Sequence, residues 1–126
     1  MNDKSILRKE NELAIAINKW GWKYHHMGIP TKEKRVGERY ISHLKFYVSG
    51  FETSPFGIEW MRFEEDSPMP DIIKKVPHIA FEVEDIDKEI CLHDLSVIVA
   101  PNSPAKNIRV AMIIHNDTPV ELIQFS

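Results

Sequence analysis

The chain contains the same short segment twice, and this internal repeat constrains its fold more than any other feature. The first copy, at residues 24–30, reads YHHMGIP, and the second, at 76–82, reads VPHIAFE. Aligning the two places His26 on His78. The small residue two positions later is glycine in the first copy and alanine in the second. Self-similarity of this kind predicts two related structural units.

A second matched pair follows the first. Residues 57–63 read GIEWMRF and residues 119–125 read PVELIQF, which places Glu59 on Glu121. Each half of the chain is therefore predicted to hold a strand with a histidine and then a strand with a glutamate. The second half is longer by roughly 10 residues, about the length of a short helix. The alternative is unrelated strands, since histidines and edge-facing carboxylates are common in β-rich proteins.

Composition limits the class of protein. The 126 residues, of which 43% are apolar and 28% charged, are typical of one soluble globular domain spanning 1–126. A net charge of −3 argues against general nucleic-acid binding, which needs a basic face. The single cysteine, Cys91, allows no intrachain disulfide, and we recognise neither a signal peptide nor a run of transmembrane length. We therefore expect a cytoplasmic protein that does not bind membranes.

The N-terminal segment is predicted to form a helix over residues 4–20. Apolar side chains recur there with helical spacing and share one face: Ile6, Leu13, Ile17 and Trp20. Gly21 suits the position just past the helix end. The helix is expected to cover one face of a sheet, and a lid or a dimer contact is the alternative.

Module one, residues 22–63, begins with a strand over 22–29. Strand alternation places His26 and Gly28 on one face and His25 on the other. The polar segment 31–38 is too short for more than a turn or two of helix.

The rest of module one reads as one long strand over 39–49 and a strand over 57–63. Module two, residues 76–125, reads as a strand, a helix over 85–93 capped by Asp85, and three further strands. Those three are predicted over 95–100, ending at Pro101 before a loop over 102–106, and as a hairpin over 108–115 and 119–125.

With these elements the chain resembles the vicinal oxygen chelate superfamily, which includes glyoxalase I, methylmalonyl-CoA epimerase, extradiol dioxygenases and bleomycin resistance proteins. The resemblance covers residues 22–125. Its motifs are HMGI at 26–29, FGIE at 56–59, PHIAFEV at 77–83 and PVELI at 119–123. It implies an α+β fold of paired β-α-β-β-β modules that form curled mixed sheets, with four strands from each module. The first-module helix is truncated and the N-terminal helix is extra.

Carried over by motif, His26, Glu59, His78 and Glu121 match the metal ligands of the family, the two-histidine, two-glutamate set of bacterial-type glyoxalase I. Such donors suit zinc, nickel, cobalt, manganese or iron(II). The resemblance implies a metal-dependent lyase or isomerase of the glyoxalase or epimerase type. It would act on a small oxygen-chelating substrate through an enediolate-like intermediate, with Glu121 or Glu59 as the base. The missing first-module helix departs from glyoxalase I, where that region helps to shape a glutathione site.

Two other functions remain open. An extradiol-type dioxygenase uses two histidines and one carboxylate, and Glu59 as a fourth ligand counts against it. A non-catalytic small-molecule binder is disfavoured because all four ligands are present. We also predict a homodimer, because open curled sheets leave edges and apolar faces to cover and relatives commonly pair. The metal site could lie within one chain or across two.

Overall fold

The computed structural model describes residues 13–126, which contain three helices and eight strands. The helices are α1 (Ile15–Asn18), α2 (Asp71–Lys75) and α3 (Ile86–Leu92). The strands are β1 (Lys23–Pro30), β2 (Arg39–Ile41), β3 (Phe46–Ser49), β4 (Ile58–Phe63), β5 (His78–Glu82), β6 (Ser96–Ala105), β7 (Ile108–His115) and β8 (Thr118–Phe125).

The eight strands form one mixed sheet in the order β2-β3-β4-β1-β5-β8-β7-β6. Each half of this order comes from one module. Within each module the histidine strand pairs in parallel with the glutamate strand, β1 with β4 and β5 with β8. The antiparallel pairing of β1 with β5 joins the modules into a continuous sheet. The predicted α+β fold of paired four-strand modules is confirmed.

The main core lies under α3, on one face of module two. Asp85 caps this helix by accepting a hydrogen bond from the Lys88 backbone N–H at 3.1 Å, so the predicted helix over 85–93 is confirmed within one residue at each end. The buried side chains of the core are Trp22, Phe81, Val83, Ile86, Ala111, Ile113 and Leu122. The last of these follows Glu121 directly, so strand alternation puts the core and the carboxylate on opposite faces of the sheet.

Module one, residues 22–63, contains no helix of its own, and the loop before β2 packs against β4. The guanidinium of Arg35 lies over the ring of Trp60, 4.4 Å from its centroid. Glu38 accepts two hydrogen bonds from Arg62, each 2.8 Å long. A cation–π contact and a bidentate ion pair thus cover side chains whose equivalents in module two lie beside α3.

The predicted strand over 39–49 is wrong. The segment forms two antiparallel strands, β2 and β3, joined by a tight turn in which Lys45 has a φ of 52°. Folding back in this way supplies the fourth strand of module one. A single run through the turn would have left that module with three strands.

The predicted strand end at Pro101 and the loop over 102–106 are also wrong. Strand β6 continues to Ala105, with register shifts along its pairing with β7. It lies at the edge of the sheet. Proline is tolerated in an edge strand because its missing N–H can face away from the neighbouring strand.

Only part of the predicted N-terminal helix falls within the described residues. Helix α1 covers Ile15–Asn18, and Gly21 follows with a φ of 76°, as expected just past a helix end. The prediction for residues 4–12 lies outside the described part of the chain. Across 13–126, no helix combines the length and hydropathy that crossing a membrane requires. The homodimer stays a prediction, which sedimentation would test.

Candidate metal centre

The pairing register of the central strands brings the two modules together at the repeated residues. Across β1 and β5, His26 is opposite Ala80, and Gly28 is opposite His78. Each small residue also has the glutamate of its own module beside it, because Gly28 pairs with Glu59 and Ala80 pairs with Glu121. The sequence equivalences of the repeat are therefore reproduced as a pseudo-twofold arrangement of side chains.

Three of the four predicted ligands converge at this point. Donor atoms of His26, His78 and Glu121 all lie within 4.8 Å of one another. Glu121 Oε1 is 2.9 Å from His78 Nε2 and 3.5 Å from His26 Nε2. Glu59 lies next to this group, with its Oε1 3.8 Å from His26 Nε2, but it is not a member of the three-residue cluster.

The donor atoms fit a divalent metal ion. His26 and His78 are 4% and 1% exposed, and His26 Nε2, which faces Glu121 and Glu59, has no hydrogen-bond partner among the described residues. Burying an imidazole nitrogen without a partner costs free energy, and a bound ion or water removes that cost. Two imidazoles with one or two carboxylates are ligands that zinc and its neighbours accept.

The ring of His78 lies directly over the backbone of Gly28. A Cβ added at that glycine would be 2.2 Å from His78 Cε1 and 2.6 Å from Nε2, closer than any real contact. Because Gly28 does not have a positive φ, the reason for a glycine here is space rather than backbone conformation. The small residue of the first repeat is thus required by the histidine of the second.

Replacing Gly28 by alanine is expected to displace the His78 ring and weaken metal binding by about 10–100-fold, as for other losses of ligand orientation. Cobalt(II) titration of the chelator-treated protein measures this. The matched control is Ala80→Gly at the equivalent position, which removes a methyl group and should leave the affinity unchanged. Equal affinity of Gly28→Ala and the original protein would contradict the role of this close contact.

The electrostatics of the site distinguish the two carboxylates. Burial alone would raise the pKa of Glu121, but its contacts with His26 and His78 outweigh burial and hold the pKa at about 2. Burial raises the pKa of Glu59, and the attraction of His26 only partly opposes it. For His26, the neighbouring Glu121 and Glu59 outweigh burial and raise its pKa. Glu121 is therefore the carboxylate that stays ionised among the imidazoles.

Glu59 also faces space that a ligand could enter. Together with Arg39, Phe51 and Glu52, it lines a cavity of about 360 Å³. This volume lies within the range of small-molecule binding sites. Arg39 Nη1 contacts Glu52 Oε1 at 3.2 Å at the exposed rim. No sequence motif marks this side of the cavity, because the turn after β3 carries none and only the folded chain places that turn beside β4.

The prediction for the face of His25 is wrong. A register shift between Tyr24 and His26 in the β1–β5 pairing breaks the strict alternation of faces. As a result, the His25 side chain contacts that of His26, and the Nδ1 atoms of the two rings are 2.8 Å apart. Nothing in the sequence marks this irregularity, since it comes from the fit of β1 against β5.

Comparison with known proteins supports the fold. No protein-family model matches the chain, and no curated protein matches it in sequence. A hypothetical protein from Bacillus halodurans C-125 superposes with a TM-score of 0.63 at 20% identity, over 83% of this chain and 95% of that protein. Methylmalonyl-CoA epimerase from Mycobacterium tuberculosis superposes with a TM-score of 0.58 at 17% identity, over 82% and 88% of the two chains.

These superpositions establish the architecture of the chain. At such low sequence identity, the chemistry has to be inferred from the residues of the site. In this chain the architecture consists of paired four-strand modules whose central strands carry the repeated histidines. The chain therefore shares the fold of these two proteins, which agrees with the fold implied by its resemblance to the vicinal oxygen chelate superfamily.

Proposed function

We propose that this protein is a divalent-metal-dependent lyase or isomerase that moves a proton next to a carbonyl group of a small substrate. The observation that carries the proposal is the convergence of His26, His78 and Glu121 with Glu59 beside them at the wall of a cavity. The fold neighbour methylmalonyl-CoA epimerase supports the general type of reaction and not the substrate.

The proposed roles of the four residues follow from where they lie. His26, His78 and Glu121 would hold the ion, with Glu59 as a fourth ligand that can be released to act as a base. A divalent ion bound there supplies a Lewis acid for substrates with two adjacent oxygens. Glu59 is the proposed base, because it lines the cavity whereas Glu121 is not among the residues that line it. A carboxylate positioned in this way can take a proton from a bound substrate and return it.

The experiment is metal-dependent hydrogen exchange. Protein stripped with a chelator is reloaded separately with zinc, nickel, cobalt, manganese or iron(II) and incubated in deuterium oxide. Hemithioacetals of 2-oxoaldehydes and acyl-CoA thioesters are the two substrate classes. Deuterium entering the carbon next to the carbonyl only in reloaded samples is the expected result, detected by mass spectrometry. Failure of the chelator-treated protein to bind any of the five ions would contradict the proposal.

One observation favours a second candidate, an extradiol-type dioxygenase. The tightest cluster contains two histidines and one glutamate, which is the ligand set of non-haem iron(II) oxygenases. Iron(II)-loaded protein supplied with catechols and oxygen would then form yellow ring-cleavage products without deuterium exchange. That outcome would replace the lyase or isomerase proposal.

A further inference from the structure

His25 and His26 form a hydrogen-bonded pair of imidazole rings. Their Nδ1 atoms are 2.8 Å apart, which is a hydrogen-bond distance. One of the two nitrogens therefore carries a proton and donates a hydrogen bond, and the other accepts that bond through its lone pair. Phe51 also contacts this pair, and its ring stacks on His25 with centroids 5.0 Å apart and planes 11° from parallel. The position of the acceptor is therefore defined by packing as well as by the backbone.

Whether the shared proton is on Nδ1 of His25 or on Nδ1 of His26 decides whether His26 can bind a metal through Nε2. With the proton on His26 Nδ1, Nε2 of the same neutral ring has a free lone pair that points toward Glu121 and Glu59. With the proton on His25 Nδ1 instead, neutral His26 must carry its own proton on Nε2, and the lone pair is lost. Accepting a hydrogen bond from His26 Nδ1 is what selects the first arrangement.

The internal repeat provides a comparison within the same molecule. The position before His78 is occupied by Pro77, which offers no side-chain acceptor. Correspondingly, His78 Nδ1 is buried and has no partner among residues 13–126. Of the two ligand histidines in the described part of the chain, only His26 of module one has a hydrogen bond on Nδ1, the ring nitrogen that faces away from the other donor atoms. This hydrogen bond depends on the register shift in β1 that turns His25 toward the site.

We propose that His25 is a positioning residue that holds the proton of His26 on Nδ1 and thereby presents Nε2 to a divalent ion. The inference rests on the proposed metal centre and assigns to it a residue that is not itself a ligand. Residues that accept a hydrogen bond from a ligating histidine usually contribute about 10–100-fold to metal affinity.

Two variants separate the hydrogen bond from the packing. His25→Phe keeps an aromatic ring against Phe51 and removes the acceptor. His25→Asn removes the ring but can place an amide oxygen near the position of Nδ1. The packing control is Phe125→Leu, because Phe125 contacts the His25 ring at a centroid distance of 5.6 Å and is 47% exposed.

Affinity for cobalt(II) is measured by competition with a chromophoric chelator. We expect a loss of about 10–100-fold for His25→Phe, a smaller loss for His25→Asn, and no loss for Phe125→Leu. Unchanged affinity of a folded His25→Phe, or equal losses in both His25 variants, would overturn the role of His25 and leave the metal centre standing. If the original protein binds no cobalt(II), both the metal centre and this inference fail.

A second measurement needs no variant and covers the case in which His25→Phe does not fold. Long-range proton–nitrogen correlation spectra of the zinc-loaded original protein show which imidazole nitrogen carries a proton. We expect a protonated Nδ1 on His26 and an unprotonated Nδ1 on His25. A proton on His25 Nδ1 with none on His26 Nδ1 would overturn the proposal.

Discussion

Replacing His78 by alanine is expected to abolish metal binding, with a loss of affinity greater than about 100-fold, which is the upper end for residues that only support a ligand. His78 is 1% exposed, and its Nε2 lies 2.9 Å from Glu121 Oε1, so its imidazole is central to the donor cluster. Metal content after dialysis and cobalt(II) competition measure the loss. Retention of one tightly bound ion in His78→Ala would contradict the proposed centre.

The controls for this variant follow from its burial. His78 is among the largest fully buried side chains, so alanine leaves a void, and large-to-small core changes cost about 2–5 kcal/mol. His78→Gln keeps more of the volume and should lose metal with less loss of stability. His43→Ala removes an exposed histidine and should bind metal as the original protein does. Near-ultraviolet circular dichroism checks that each variant remains folded.

Replacing Glu59 by glutamine is expected to lower turnover by about 10²–10⁴-fold while metal remains bound, because general-base catalysis contributes that much. Glu59 lines the cavity and lies at the margin of the donor cluster, whereas Glu121 contacts both histidines. Glu121→Gln is therefore the matched variant that should lose metal first. The rate of deuterium exchange, with metal content determined on the same samples, separates the two effects.

The assignment of the base depends on this contrast. Full exchange activity in Glu59→Gln would contradict the role proposed for Glu59. Loss of activity in Glu121→Gln at full metal occupancy would transfer the role of base to Glu121. Both glutamates were candidates from the sequence, and the choice between them comes from the cavity beside Glu59.

The sequence by itself determined the repeat and hence the architecture. The equivalence of His26 with His78 and of Glu59 with Glu121 predicted paired strands, and the pairing of β1 with β5 follows that equivalence. Local signals were sufficient for α3, because the Asp85 cap and apolar spacing act within a few residues. These features depend on contacts near in sequence or on symmetry between the modules, and both can be recognised in a single chain.

Only the tertiary structure decided the break in the predicted strand over 39–49 and the continuation of β6 through Pro101, because both depend on which neighbours a strand acquires. The turn of His25 toward His26 likewise follows from a register shift against β5. Alternation assumes an ideal strand, and one extra residue in a pairing reverses the face of the side chain. The fine geometry of the candidate centre is therefore set by the strand partners and could not be derived from the order of residues.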